Sequence, residues 1–347
     1  MSSFTNKIHI PSEIITKSSS SITHKASNRI YISQSINRIL SLTDNEINNR
    51  MQSQKFKSLY EDLEHFYNKN KELRENELNH LFEEFLHDRN MDCIHDTCTY
   101  GDKVFNELFS KRKPDMSWNT TAGTKLDDFS SCPFYYKSII ELKKVDFKNK
   151  DYDQLSNYLA SVLRYSPGRI FVIGCLTKFS HTSLIKVSYD EQNNDIRYEI
   201  QAMVTQAAGL QNLALFLELS DQELGYNGMF LRLFAEKRFK FLEYLGRGSS
   251  SFAFYCEYPE KSLTNIVLKI SRKNLLKEKY IIQQMNAIKP DDINLINCID
   301  LNLNETYSDY LIAFNLRGSQ LHETHIRKFI NNTTLLNNAW KQINLCM

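Results

Sequence analysis

The stretch whose reading decides the fold is Ile139–Lys144, which reads IIELKK. Ile139, Ile140 and Leu142 are apolar and follow a turn-prone segment, the pattern of a short buried strand. Side chains alternate across a strand, so Glu141 and Lys143, two apart, leave from the same face. A carboxylate beside an ammonium is half of a site that hydrolyses phosphodiesters with a metal ion. The other half is a second carboxylate on a neighbouring strand. Asp115, in KRKPDMSW, is the candidate, because Pro114 suits a strand start, where it owes no hydrogen bond to the ladder. Such chemistry needs an activated water and a stabilised anionic transition state. A hard cation such as Mg²⁺ or Mn²⁺ supplies both, held by one or two carboxylates. Lys143 would orient the water or offset developing charge. An acidic residue of the preceding helix, Glu83 or Glu84, would complete the set.

Outward from this strand the pattern is α/β. Residues 1–55, rich in Ser and Asn, read as a poorly ordered leader with one short helix near Ser35–Leu42. Apolar residues at helical spacing between Phe56 and Asn90 predict helices, including one near Glu75–Asp88. After IIELKK, Leu155, Tyr158, Leu159 and Val162 mark one face of a helix from about Tyr152 to Tyr165, ended by Pro167–Gly168. RIFVIGCLTKF reads as a strand, SLIKVSYD and DIRYEIQAMV as a hairpin, and Leu210–Leu219 as a helix. Gly225 and Asn227–Gly228 suggest a domain boundary near 228–240, written as units 56–228 and 229–347.

The chain has 347 residues, enough for two cores, with 41% hydrophobic and 24% charged residues. A net charge of +2 argues neither for nor against nucleic acid as a whole-chain property. Local basic residues (Lys111, Arg112, Lys113, Lys143, Lys144, Lys148, Lys150, Arg164 and Arg169) would suit a backbone-tracking surface. Trp118, Tyr135 and Tyr136 are read either as stacking platforms or as core. Seven cysteines without paired spacing read as reduced thiols. His87, Cys93, His95 and Cys98 match no common zinc spacing and are read as ordinary side chains. Neither a secretory signal nor a membrane span is visible, so an intracellular protein, nuclear or cytoplasmic, is expected.

Pro114–Asp115 followed by Glu141–Leu142–Lys143, with a helix before and a helix after, resembles the PD-(D/E)xK nuclease superfamily over roughly residues 75–220. The resemblance implies a restriction-endonuclease-like mixed sheet flanked by helices. It makes Asp115 and Glu141 the metal ligands, with an acidic residue such as Glu83, and Lys143 the catalytic lysine. Gln154 stands where several such nucleases carry a functional glutamine. Nucleic acid, with DNA expected, would be the partner.

After residue 240, LGRGSSSFAF places Gly246 and Gly248 in a strand–loop–strand setting, where backbone N–H groups can approach phosphates. Ile266–Lys269 looks like the Val-Ala-Ile-Lys strand of protein kinases, and Glu278 heads a helix like the one that pairs with that lysine. Residues 240–321 therefore resemble an α+β protein-kinase N-lobe. By that resemblance Gly246, Gly248 and Lys269 would meet ATP phosphates and Glu278 would pair with Lys269. Ser251 stands where a third glycine is expected. No His-Arg-Asp or Asp-Phe-Gly follows, so phosphoryl transfer by this chain is not expected. The alternative reading is thus a truncated kinase or pseudokinase module that binds ATP or a protein partner. The two resemblances together suggest Crinkler-like effectors and fungal-type kinase proteins.

Overall fold

Strand β4, Tyr136–Leu142, is buried almost throughout and sits inside an eight-stranded mixed sheet. The computed structural model describes residues 31–89, 91, 93–95, 114–119, 135–190, 195–230, 233–234, 239–247, 251–259, 263–288, 297–299, 301, 307 and 309–315. The chain divides into two compact units, Met1–Glu236 and Lys237–Met347.

In the first unit β4 pairs antiparallel with β3 (Met116–Asn119), which pairs antiparallel with β2 (Cys93–His95). On its other side β4 runs parallel to β5 (Phe171–Thr177). Parallel neighbours cannot be joined by a tight turn, and helix α5 (Asn149–Tyr165) makes the crossover. β6 (His181–Asp190) and β7 (Asp195–Gln201) extend the sheet as the expected antiparallel hairpin, and β8 (Val204–Thr205) pairs with β6.

Both faces of β4 are covered, which explains why burial runs almost unbroken along it although Ser138 and Glu141 are polar. Ile140 and Leu142 join the main core with Met116, Trp118, Ile173 and Cys175. That core also takes residues from α3 (Gln54–Asn70), α4 (Glu75–His87) and α6 (Ala207–Leu217). The opposite face carries Ile139 and Glu141 and meets α5. There Gly174 lets the helix approach: a Cβ at that position would lie 2.8 Å from Leu159. Helix α5 begins three residues earlier than the apolar spacing suggests, because Asp151 accepts the Lys148 N–H at 2.8 Å and caps the first turn.

One expectation is corrected. Residues 31–52 are not a poorly ordered leader. Strand β1 (Tyr31–Gln34) pairs in parallel with β7 at the sheet edge, followed by helices α1 (Ile36–Leu40) and α2 (Asp44–Gln52). Thr43 and Glu46 form a reciprocal capping box, and Ile39, Leu40 and Ile47 enter the core, so polar composition masked a docked segment. Residues 1–30 lie outside the described residues. The boundary falls after Glu236, inside the expected 228–240 interval. The Gly225 turn packs onto β5, where a Cβ would meet the Phe171 carbonyl at 2.2 Å, so it is a turn within the unit and not a linker.

The second unit is a five-stranded antiparallel sheet in the order β9-β10-β11-β13-β12. Its strands are β9 (Lys240–Arg247), β10 (Ser251–Tyr258), β11 (Leu263–Ser271), β12 (Asn297–Ile299) and β13 (Leu311–Asn315), with α7 (Leu276–Ile288) between β11 and β12. Alternation on β10 buries Phe252, Phe254, Cys256 and Tyr258. The sequence of His325–Leu345 predicts a helix, and these residues lie outside the described residues. No helix among the described residues is long and apolar enough to cross a membrane.

Candidate active site

The β3–β4 register decides which acidic groups meet. Met116 faces Ile140, so Asp115, one residue before the strand, comes opposite Glu141. The Asp115 N–H donates to Glu141 Oε1 at 3.1 Å, and the Leu142 N–H donates to Asp115 Oδ2 at 3.0 Å. Each carboxylate is thereby tied to the backbone of the other's strand. Lys143 leaves the same face of β4 as Glu141 and donates to Asp115 Oδ2 at 2.7 Å and to Glu141 Oε2 at 3.1 Å. Its own N–H donates to the Thr177 carbonyl at 2.8 Å, which holds the end of β4 against β5. The cluster therefore sits where the two parallel strands finish, a usual place for ligands in sheets of this kind.

Helix α5 supplies the remaining contact. Gln154 Nε2 donates to Glu141 Oε2 at 3.1 Å and to the Tyr158 hydroxyl at 3.2 Å. Gln154 and Tyr158 are four apart and share a helix face, which is how one amide reaches both groups. Tyr158 was read only as a core residue. The i,i+4 spacing from Gln154 was the signal that pointed to more.

Glu141 is fully buried, whereas the side chains of Asp115 and Lys143 keep 19% and 13% of their exposure. Burial, reinforced by the Asp115 charge, pushes the Glu141 carboxyl up to about 8, with Lys143 pulling the other way. Burial works to lower the Lys143 ammonium, but the two carboxylates more than offset it and hold it above its ordinary value.

Glu83 does not complete the set: no group of three or more His, Cys, Asp or Glu side chains placed to hold a metal occurs among the described residues. Glu83 and Glu84 lie beside His80 on α4. Helix α4 reaches the end of β4 through its first residue instead. Glu75 accepts the Lys144 N–H at 3.1 Å, and Lys144 Nζ donates to the carbonyls of Lys71, at 2.8 Å, and Leu73. Helix phase from the apolar pattern could not separate these glutamates.

Several basic and aromatic candidates have structural places. Arg169 is buried and donates to backbone carbonyls, Lys144 is fastened to the α3–α4 turn, and Trp118, Tyr135 and Tyr136 are in the core. Lys148, Lys150 and Arg164 are exposed. Lys111–Lys113 and Cys98 lie outside the described residues.

In the second unit Lys269 on β11 donates to both carboxylate oxygens of Glu278 on α7 at 2.7 Å. Gly246 adopts φ +146°, a conformation favouring glycine, with open space where a Cβ would stand. Gly248 lies outside the described residues.

Comparison of the chain with protein-family models, curated proteins and solved structures gives no match.

Proposed function

We propose that the first unit is a nuclease-like domain that hydrolyses nucleic-acid phosphodiesters with a divalent metal ion. The observation that carries the reading is the meeting of Asp115, Glu141 and Lys143 at one end of β4, reached from two strands. The sequence of helix, three antiparallel strands, crossover helix and parallel strand around it supports the same reading. The donor set fits Mg²⁺ or Mn²⁺, which take hard oxygen ligands and need only one or two carboxylates when water and phosphate complete the shell. Asp115 and Glu141 would hold the ion, which when bound supplies a water acidic enough to attack and a counter-charge for the phosphate. Lys143 would then direct its ammonium at the attacking water or the phosphate oxygens. Gln154 holds the Glu141 carboxylate in place, and Tyr158 holds Gln154.

The test is nicking of supercoiled plasmid DNA by the full chain with Mg²⁺ or Mn²⁺. Cleavage is expected with either ion and is expected to stop with EDTA. Cleavage that persists in EDTA, or in the Lys143→Ala variant at the wild-type rate, would contradict the reading. Gln154→Ala is expected to slow cleavage by about 10–100-fold, the usual size for a group that orients a ligand.

The Lys269–Glu278 pair favours a second reading for the second unit, a nucleotide-binding lobe of protein-kinase type. ATP with Mg²⁺ at about 100 times its Kd is expected to stabilise that unit by roughly 2.7 kcal/mol. The thermal shift should vanish in Lys269→Ala. An unchanged shift in that variant would remove Lys269 from the site.

A further inference from the structure

Asp115 Oδ2 and Glu141 Oε2 come from different strands and converge on one cationic atom, Lys143 Nζ. Two carboxylates this close, one of them fully buried, repel each other strongly unless a positive charge lies between them. Lys143 supplies that charge. A divalent ion bound to the same two oxygens would sit about 2.0–2.6 Å from each, a space that an ammonium group cannot share.

The backbone contacts show what would stay fixed if the ammonium left. Asp115 Oδ2 keeps the Leu142 N–H, and Glu141 Oε1 keeps the Asp115 N–H. Glu141 Oε2 also keeps the Gln154 amide. The carboxylates therefore keep these contacts without Lys143, whose four-carbon stem has the rotatable bonds that could carry its ammonium aside. We propose that Lys143 is the resident counter-cation of this site, and that a divalent ion enters by exchange with its ammonium group. The proposal rests on the metal-dependent reading above and adds an order of events to it. Lys143 is occupied with the carboxylates before loading and is released as a donor for phosphate or water only once the ion has arrived. The lysine thus couples metal loading to assembly of the reactive site.

The experiment is calorimetric titration of the full chain with Mg²⁺ alone, without nucleic acid. Lys143→Met is expected to bind Mg²⁺ at least about tenfold more tightly than wild type, because the competing charge is gone. Asp115→Asn should lose binding. Equal or weaker binding by Lys143→Met, with wild type still binding, overturns the exchange and leaves the metal reading standing. Absence of binding by both wild type and Lys143→Met overturns both. A measurement on the unaltered protein serves if the variant fails to fold: reductive methylation of lysines, read by mass spectrometry. Lys143 should be protected without Mg²⁺ and several-fold more reactive with it. Reactivity unchanged by Mg²⁺ overturns the exchange.

Discussion

Glu141→Gln should reduce plasmid cleavage by on the order of 10³-fold or more while leaving the fold intact. It removes the charge of a proposed metal ligand, a larger loss than removal of one preorganised donor, which alone costs about 10²–10³-fold. The glutamine keeps the size of the buried side chain, so no cavity opens. The same variant should change the pH dependence of stability. The folded protein binds the Glu141 proton more tightly than the unfolded chain does, because burial and Asp115 push the carboxyl up to about 8. This group's contribution to stability is therefore fully present below its unfolded value of 4.5, declines as pH rises, and is lost above about 8. Denaturant midpoints should fall across that pH range in wild type without added metal, and this component should be missing from Glu141→Gln. Activity should rise towards pH 8 as the carboxyl ionises. A wild-type cleavage rate in Glu141→Gln would remove the residue from the site.

Arg169→Met should destabilise the first unit by about 3–5 kcal/mol. The guanidinium of Arg169 donates to the carbonyls of Tyr136 at 2.6 Å, Phe171 at 3.0 Å and Leu224 at 2.8 Å, and also to that of Lys137. It ties the start of β4 to the start of β5 and to the turn before Tyr226. Burial pushes its pKa down to about 9, with Tyr226 and Asp221 acting in the opposite direction, so it remains cationic at neutral pH. Methionine fills similar volume but leaves these buried acceptors without a donor, and each costs about 1–3 kcal/mol. Urea denaturation would measure the loss. A change below about 1 kcal/mol would mean that water replaces the guanidinium.

These two residues also show where the sequence was readable and where it was not. Glu141 and Lys143 were placed together because alternation along a strand needs only their spacing. Asp115 followed because its pairing with β4 runs between neighbouring strands of one sheet. Arg169 was counted as surface charge, since its carbonyl partners come from three separate places in the chain and no local pattern announces them. The same distance hid β1, whose four residues are explained only by a parallel partner more than 160 positions away. Helix α4 was legible as a helix, but not for which glutamate its first turn brings to β4. In the second unit the alternation of β10 and the position of Glu278 were readable. The strand order was not, because β13 inserts between β11 and β12 against chain order.

In the proposed reaction Asp115 and Glu141 hold the divalent ion that makes cleavage possible. Replacing Mg²⁺ with Fe²⁺ and adding ascorbate and peroxide generates short-lived radicals that cut the polypeptide only beside the bound ion. Peptide breaks are expected at residues 114–116 and 140–144, suppressed by excess Mg²⁺ and missing in Asp115→Asn. Breaks confined to other segments, or the same breaks in Asp115→Asn, would contradict that placement of the ion.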